Sequence, residues 1–142
     1  SWTIVIRLHP RLADIAHKYI RYNDWIINGS AIFDVQELLL ITDVLITDYS
    51  SICLDYMNTG HPVFLYATDI DEYKKDRDFH LKLEDAPFPI AISNSELERH
   101  ILNFDENIYQ VKVQAFRQHF VYYGDGHASQ IAAKNISDRI GY

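Results

Sequence analysis

At 142 residues the chain has the size of one globular domain, and its content of 48% hydrophobic and 23% charged residues excludes disorder. The formal net charge of −7 argues against nucleic-acid binding and against broad adhesion to an anionic membrane, since both require a basic surface. A single cysteine, Cys53, allows no internal disulfide and indicates a reducing compartment; we expect it to be a small core residue. No apolar run is long enough to span a bilayer, and no signal peptide is visible.

Short apolar runs rich in β-branched residues predict five strands, in chain order at residues 3–6, 25–27, 44–47, 62–66 and 89–92. The first is a continuous apolar run, typical of a strand buried on both faces of a parallel sheet, and His9-Pro10 ends it. Helix signals lie between and after these strands and predict helices near residues 12–19, 35–41, 51–58, 94–103, 107–120 and 128–140.

Two residue pairs have the three-residue spacing of a capping box at a helix start: Asp34 with Glu37, and Ser93 with Glu96. Ser50 or Ser51 is expected to cap the helix after the third strand, and Gly60 is expected to end it. Strands that alternate with capped helices predict an α/β fold with a doubly wound parallel sheet. We expect residues 1–142 to form one Rossmann-like domain. Because the chain enters a strand almost at once, we interpret it as a fragment of a longer protein.

Polar side chains gather beyond the predicted carboxyl ends of two strands, which is where open parallel sheets bind their ligands. The two groups are Arg7, His9 and Arg11 after the first strand, and Thr47-Asp48-Tyr49-Ser50-Ser51 after the third. The first group could surround one phosphate with cations and donors. The second leads into a helix start, where free backbone amides and two hydroxyls would bind an anion. The residues alone leave open that His9 is a turn residue and that both serines are ordinary N-caps.

Three further features bear on a site. Asp55 lies four residues after Ser51 on the same helix face, where its carboxylate either reaches ribose hydroxyls or is simply solvated. Asp125-Gly126 precedes the last helix, and a glycine turn with a helix cap accounts for it. The seven histidines lack zinc-type spacing, so no metal site is predicted.

The motifs form an ordered series along nearly the whole chain: Arg7-Leu8-His9-Pro10, then residues 33–39, 42–51, 55–56, 62–66, 69–73 and 123–129. Together they resemble the C-terminal half of the CDP-glycerol glycerophosphotransferase family. The resemblance implies a GT-B fold, in which two Rossmann-like domains flank the active site. On this interpretation the chain is the C-terminal domain, and the N-terminal domain is absent from it.

The resemblance also implies an activity and partners. The family transfers glycerol phosphate or ribitol phosphate from CDP-glycerol or CDP-ribitol to a teichoic-acid-like or capsular polymer. The acceptor is a polyol-phosphate polymer or a lipid-linked primer, reached through the missing domain, which also carries the histidine that acts as base. No cofactor, metal or nucleic acid is implied. The full-length protein is expected to be cytoplasmic and peripheral to the inner face of the bacterial membrane, and this chain alone is expected to hold CDP without turnover.

Carried onto this sequence, the resemblance implies catalytic roles for His9 and Asp48. It implies donor binding by a larger set of residues: Arg7, Pro10, Thr47, Tyr49, Ser50, Ser51, Asp55, Asp125 and Gly126. The expected mechanism is direct displacement at the phosphorus attached to the polyol. CMP is expected to leave with its charge stabilised by His9, by the helix start at Ser50–Ser51 and, as a further candidate, by Arg7, because charge stabilisation dominates phosphoryl-type transfer.

Three alternatives remain. A UDP-N-acetylglucosamine 2-epimerase or another sugar-nucleotide GT-B enzyme shares an early His-Pro, but the epimerase pattern continues Asp-Ser-Gly-Gly rather than Asp-Tyr-Ser-Ser. A receiver-like signalling module would use Asp48 as phosphoacceptor but needs an acidic pair where His9-Pro10 stands. A nucleotide-binding module without transfer activity is the third. The sequence departs from the family pattern at three places: Pro87-Phe88-Pro89 stands where the family commonly has Pro-Gly-Pro, Gly124 where it often has an acidic residue, and Arg77-Asp78-Phe79-His80 where it usually has Arg-Gly-Phe-Tyr. These differences leave the exact donor and acceptor open.

Overall fold

A computed structural model describes residues 1–70, 72, 85–120 and 126–141. The chain divides into two compact units, Ser1–Thr42 and Asp43–Tyr142. Every strand pairing among the described residues is parallel. Parallel strands joined through helical segments confirm the α/β class expected from the alternating sequence pattern.

The first unit contains two strands and short helices: β1 (Ile4–Ile6), α1 (Pro10–Ala13), a 3₁₀ turn (Ala16–Lys18), β2 (Ile26–Asn28) and α2 (Val35–Leu40). Ile4 of β1 pairs with Ile26 of β2, and Ile6 pairs with Asn28. The prediction that the first strand is buried on both faces is wrong here, because Ile4 is 55% exposed and Val5 38% exposed. The faces of a parallel sheet are covered by packed helices, and the helices of the first unit, α1 and α2, are only four and six residues long.

The helix predicted at residues 12–19 is also wrong in its extent. α1 ends after one turn, and the chain continues through i to i+3 hydrogen bonds, from Ile15 N to Leu12 O and from Lys18 N to Ile15 O. Only Ala16 of this stretch is buried. Without a buried apolar face, little tertiary packing is available to stabilise a longer helix.

The second unit contains three strands and four helices among its described residues: β3 (Leu45–Thr47), α3 (Ile52–Tyr56), a 3₁₀ turn (Met57–Thr59), β4 (Val63–Tyr66), β5 (Ile90–Ala91), α4 (Asn94–Leu102), α5 (Glu106–His119) and α6 (Ala128–Ile140). The strand order is β3-β4-β5. β4 is therefore central, and Val63, Phe64 and Leu65 are all buried, as a strand covered on both faces requires.

The core of the second unit joins β4 to one face of α5. Tyr109, Val113 and Phe116 recur at helical spacing, and all three are buried. Phe104, just before α5, packs edge-on against Phe64 with ring centroids 5.5 Å apart. Its ring lies 5.4 Å from that of Tyr109. These rings fix α5 against the central strand.

Helix ends follow the sequence signals closely. Asp34 Oδ1 accepts a hydrogen bond of 2.8 Å from Gln36 N, and Ser93 Oγ accepts one of 3.3 Å from Glu96 N. Glu96 Oε2 accepts from Ile92 N at 2.9 Å, one residue before the amide that a capping box would use.

The turn that closes α3 ends at Gly60, which has φ +81°. That left-handed conformation is readily adopted by glycine and strained for most other residues. Two side chains of α5 bind this turn directly. Gln110 Nε2 donates to Gly60 O at 2.7 Å, and Tyr109 Oη donates to His61 O at 3.2 Å. α5 therefore holds the end of the helix whose beginning carries the predicted serines.

Candidate functional site

The candidate site in the second unit begins where the sheet ladder of β3 stops. Thr47 pairs with Leu65 as the last residue of β3, and Tyr66 pairs with Ala91 one step further along β4. The carboxyl ends of parallel strands lie at one edge of a sheet, so Asp48–Ser51 extends from that edge. Thr47 is half-buried in the ladder, whereas Asp48, Ser50 and Ser51 are exposed.

Two short-range hydrogen bonds shape this segment. Asp48 Oδ1 accepts from Ser50 N at 3.1 Å, and Ser50 Oγ accepts from Ile52 N at 3.5 Å. Ser51 occupies the N-cap position of α3, but its side chain makes no capping hydrogen bond. The sequence left open which serine caps α3; the hydroxyl that reaches the helix amide is that of Ser50, at the long limit of a hydrogen bond.

The expectation of several free backbone amides at this helix start is corrected. Ser50 N and Ile52 N have the side-chain partners described above. Cys53 N donates to Ser50 O at 3.3 Å, and Leu54 N donates to Ser51 O at 2.9 Å. The α-helical part of this element is only five residues long, which limits its dipole. The Ser51 hydroxyl is exposed and does not cap the helix.

Tyr49 connects this segment to the loop after the central strand. Its hydroxyl donates a hydrogen bond of 2.8 Å to Asp69 Oδ1, twenty residues further along the chain. Tyr49 is half-buried and Asp69 is exposed. Sequence reasoning placed Tyr49 among the donor-binding residues but did not include Asp69. The available signal was positional, since both residues follow the ends of strands that are neighbours in the sheet.

The helix α3 follows Asp48–Ser51 directly, and two of its residues bear on the site. Asp55 is exposed on this helix, four residues after Ser51, as its sequence position predicts. The thiol of Cys53 is half-buried, and burial is the main cause that raises its pKa to about 11. The charges of Asp55 and Asp48 raise the pKa further, while backbone hydrogen bonds oppose the shift. The thiol is therefore protonated at neutral pH and is a poor nucleophile, in keeping with a structural role.

In the first unit, His9 is the N-cap residue of α1. Its Nδ1 accepts a hydrogen bond of 3.3 Å from Arg11 N. A ring nitrogen that accepts carries no proton, so neutral His9 carries its proton on Nε2. Pro10 occupies the first helical position, where its fixed φ suits the helix and its missing N–H costs nothing. His9 is exposed and therefore presents a hydrogen-bond donor to solvent.

Arg7 stabilises the backbone of the first unit through hydrogen bonds of its guanidinium. Its Nη1 donates to Gly29 O at 3.0 Å and also to Ile32 O. Leu8 N donates to Ser30 Oγ at 3.0 Å. These bonds tie the exit of β1 to the loop after β2 and use two of the five N–H donors of the guanidinium. Arg7 thereby fixes the backbone that leads into His9.

The predicted site residues are divided between the two units. One group lies in the first unit: Arg7, His9 and Pro10. The other lies in the second unit: Thr47, Asp48, Tyr49, Ser50, Ser51, Asp55 and Gly126. Gly126 has φ +81° and lies two residues before α6, as the turn interpretation requires. Asp125 lies outside the described residues.

In residues 1–70, 72, 85–120 and 126–141, no group of three or more His, Cys, Asp or Glu side chains is arranged to hold a metal ion. Within the same part of the chain, no helix has both the length and the apolar character needed to cross a membrane.

Comparison with known proteins shows the family of this chain. Residues 1–138 match the family described as CDP-Glycerol:Poly(glycerophosphate) glycerophosphotransferase. The chain belongs to this family, which confirms the resemblance drawn from the ordered motifs.

Individual relatives agree with the family match. The chain is 38% identical over 134 residues to a teichoic acid poly(glycerol phosphate) polymerase of Staphylococcus epidermidis, covering 92% of this chain and 18% of the relative. It is 32% identical over 137 residues to a teichoic acid poly(ribitol-phosphate) polymerase of Bacillus spizizenii, covering 96% of this chain and 22% of the relative. The chain thus spans about a fifth of the length of these two curated relatives.

Solved structures of the wall teichoic acid polymerase TagF are similar in fold as well as in sequence. A TagF structure soaked with CDPG matches with a TM-score of 0.76 and 35% identity, over 99% of this chain and 35% of that chain. A further TagF structure matches with a TM-score of 0.75 and 34% identity, again over 99% of this chain. These matches confirm the Rossmann-like α/β fold class.

Proposed function

We propose that this chain binds the CDP part of CDP-glycerol or CDP-ribitol, as the donor-binding part of an enzyme that transfers polyol phosphate to a teichoic-acid-like or capsular polymer. Membership of the glycerophosphotransferase family supports the substrate class. The curated relatives act on both glycerol phosphate and ribitol phosphate polymers, so both donors remain in the proposal.

The observation that carries the proposal is the segment after β3. Ser51 exposes a hydroxyl that is not used for capping, while Asp48 and Ser50 fix the backbone on either side of it. A hydroxyl held at the carboxyl edge of a parallel sheet is suited to donate to a phosphate oxygen of a bound nucleotide. Asp55, one turn further along α3, is suited to accept hydrogen bonds from the ribose hydroxyls.

The proposed reaction is a direct displacement. An acceptor hydroxyl attacks the phosphorus that carries the polyol, a new P–O bond forms, and the P–O bond to CMP breaks. The proton of the attacking hydroxyl passes to a base, and CMP leaves with the negative charge that develops on its phosphate. Groups that stabilise this charge lower the barrier, which is the main contribution available to a protein in such transfers.

His9 is the group of the first unit proposed to stabilise the leaving phosphate. Its Nδ1 is occupied by Arg11 N, so the neutral ring offers Nε2–H as a donor rather than an acceptor. A donor, not a base, is what a developing phosphate charge requires. The proposed base is a histidine of a second domain that is not part of this chain.

We further propose that the acceptor polymer, or a lipid-linked primer, is held by that second domain. The enzyme would then act in the cytoplasm at the inner face of the bacterial membrane, as a peripheral protein. Cosedimentation of the complete enzyme with vesicles that carry a lipid-linked primer tests this. Binding to primer-containing but not to plain vesicles is expected, and equal binding to both would contradict primer-dependent association.

Calorimetric titration of the chain with CDP-glycerol, CDP-ribitol and UDP-N-acetylglucosamine tests the central proposal. We expect heat of binding with at least one CDP-polyol and none with the UDP sugar. CDP alone should compete, because the proposed contacts are to the nucleotide and its phosphates. Binding of the UDP sugar with no response to either CDP-polyol would favour a sugar-nucleotide enzyme instead.

A further inference from the structure

We propose that Tyr49 is a positioning residue, which holds the segment Asp48–Ser51 in its donor-binding shape through its hydrogen bond to Asp69. This inference rests on the proposed function, since it assigns a role at the same site. It adds Asp69, a residue with no proposed contact to the donor.

The first support is where the sheet ladder ends. Thr47 is the last residue of β3 that pairs with β4, and its partner is Leu65. Asp48–Ser51 therefore extends beyond the backbone hydrogen bonds of the sheet. The Tyr49 hydroxyl reaches Asp69 Oδ1 at 2.8 Å, past the end of β4. The bond joins the exit of β3 to the exit of β4 at a point where the ladder no longer does so.

The second support is the range of the other bonds in this segment. The Asp48 and Ser50 side chains each bond an amide only two residues away. Such local bonds set the shape of a turn but do not fix its position relative to the neighbouring strand. The Tyr49–Asp69 bond spans twenty residues and does fix that position. It joins a hydroxyl to a carboxylate, and such charge-assisted bonds are stronger than neutral ones.

Asp69 is thereby connected, through Tyr49, to the residues proposed to bind the donor. Asp69 holds the Tyr49 hydroxyl, the Tyr49 backbone lies between Asp48 and Ser50, and Ser51 follows at once. Loss of the hydroxyl should leave the half-buried ring of Tyr49 in place while freeing the segment to move. The amides of Ser50 and Ile52 should then exchange with solvent faster, since both are protected by bonds within this segment.

The test compares Tyr49→Phe, Asp69→Ala, the double variant and Asp69→Asn in this chain. Two quantities are measured: CDP affinity by calorimetry, and hydrogen exchange at the amides of Ser50 and Ile52. We expect Tyr49→Phe and Asp69→Ala each to weaken CDP binding about five- to tenfold, and the double variant to be no weaker than either. Asp69→Asn keeps an acceptor oxygen and should recover part of the affinity.

Tyr109→Phe is the matched control. It also removes a tyrosine hydroxyl bond, to His61 O, but at the residues that lead into β4. It should leave exchange at Ser50 and Ile52 and the affinity for CDP unchanged.

Additive losses in the double variant, or unchanged exchange at Ser50 and Ile52 in Tyr49→Phe, would overturn the positioning role. If the unmodified chain binds no CDP, the proposed function fails. The exchange measurement then still decides whether Tyr49 orders the segment.

Discussion

Arg117 Nη2 donates a hydrogen bond of 3.0 Å to the carbonyl oxygen of Met57, sixty residues earlier in the chain. Met57 is fully buried, and its carbonyl oxygen also accepts a hydrogen bond of 3.2 Å from Gly60 N. Arg117 lies near the end of α5, and Met57 follows directly after α3. The bond therefore connects α5 to the turn that closes α3, the helix whose N-cap is Ser51.

We expect Arg117→Ala to lower the free energy of unfolding by about 1–2 kcal/mol, because it removes one of the two hydrogen bonds that the buried Met57 carbonyl accepts and leaves only that from Gly60 N. Urea unfolding followed by circular dichroism measures the change. Lys112→Ala is the matched control, since Lys112 is an exposed cation on the same helix. Its effect should stay within about 0.5 kcal/mol, and equal losses in the two variants would show that the Met57 bond contributes nothing specific.

Ser50 and Ser51 should respond differently to substitution. Ser50→Ala removes the hydroxyl that accepts from Ile52 N, so it should cost up to about 1 kcal/mol of stability. Ser51→Ala removes no capping bond and should leave stability nearly unchanged while weakening CDP binding. Thermal unfolding and calorimetric titration of both variants check this. A Ser51→Ala variant with unaltered CDP affinity would remove the proposed phosphate contact.

Two substitutions can separate the capping bond of His9 Nδ1 from the proposed donor role of Nε2–H. His9→Asn keeps a side-chain acceptor at the N-cap but removes Nε2–H, whereas His9→Ala removes both. We expect the two variants to lose CDP affinity alike, with His9→Asn the more stable of the two. Nitrogen NMR of the neutral ring in the unmodified chain should show a protonated Nε2 and an unprotonated Nδ1. The opposite tautomer would contradict the donor role.

The stability of the chain should fall at alkaline pH. Burial is the main cause that raises the pKa of Tyr56 and that of Tyr109 from 10.0 to about 12, and that of Cys53 from 9.0 to about 11. Because the folded-state values are higher, the unfolded chain loses these protons first. The stabilisation is complete below about pH 9 and is lost as the pH rises toward the folded-state values, by up to about 1.4 kcal/mol per pH unit for each group.

Urea unfolding between about pH 8 and about pH 11 measures this loss. Cys53→Ala should delay its onset, because the thiol is the first of the three groups to titrate. A free energy of unfolding that stays level across this range in the unmodified chain would mean that these side chains are not held in their neutral forms by the fold.

Much of the fold could be read from local sequence, because its signals are local. Ser93 caps α4 as its spacing to Glu96 predicts, and α6 spans Ala128–Ile140, as the sequence indicates. Burial is not a local property. The apolar runs of β1 and β4 look alike in sequence, yet Ile4 is 55% exposed and Val63 is 0% exposed. Among the strands of the described residues, only β4 has a paired strand on each side within its sheet.

In the candidate site too, local features could be predicted from the sequence, whereas long-range contacts could not. The serines after β3 were identified from their position at a strand end, but the choice of Ser50 as the capping side chain depends on backbone angles that the sequence does not display. The partner of Tyr49 is twenty residues away, and the bonds of Arg7 to Gly29 and Ile32 cross from one strand exit to another. Contacts of this range follow from the three-dimensional pairing of strands, so no spacing rule reveals them.

The central position of β4 also has a consequence for synthesis of the chain. One edge of β4 (Val63–Tyr66) pairs with β3, which leaves the ribosome before it. The other edge pairs with β5 (Ile90–Ala91), which leaves the ribosome later. Until then a strand of four apolar or aromatic residues exposes a row of unpaired backbone groups, a template for pairing with another nascent chain. The interval between the emergence of residues 66 and 90 from the ribosome is therefore a period in which this edge of β4 is open to pairing with another chain.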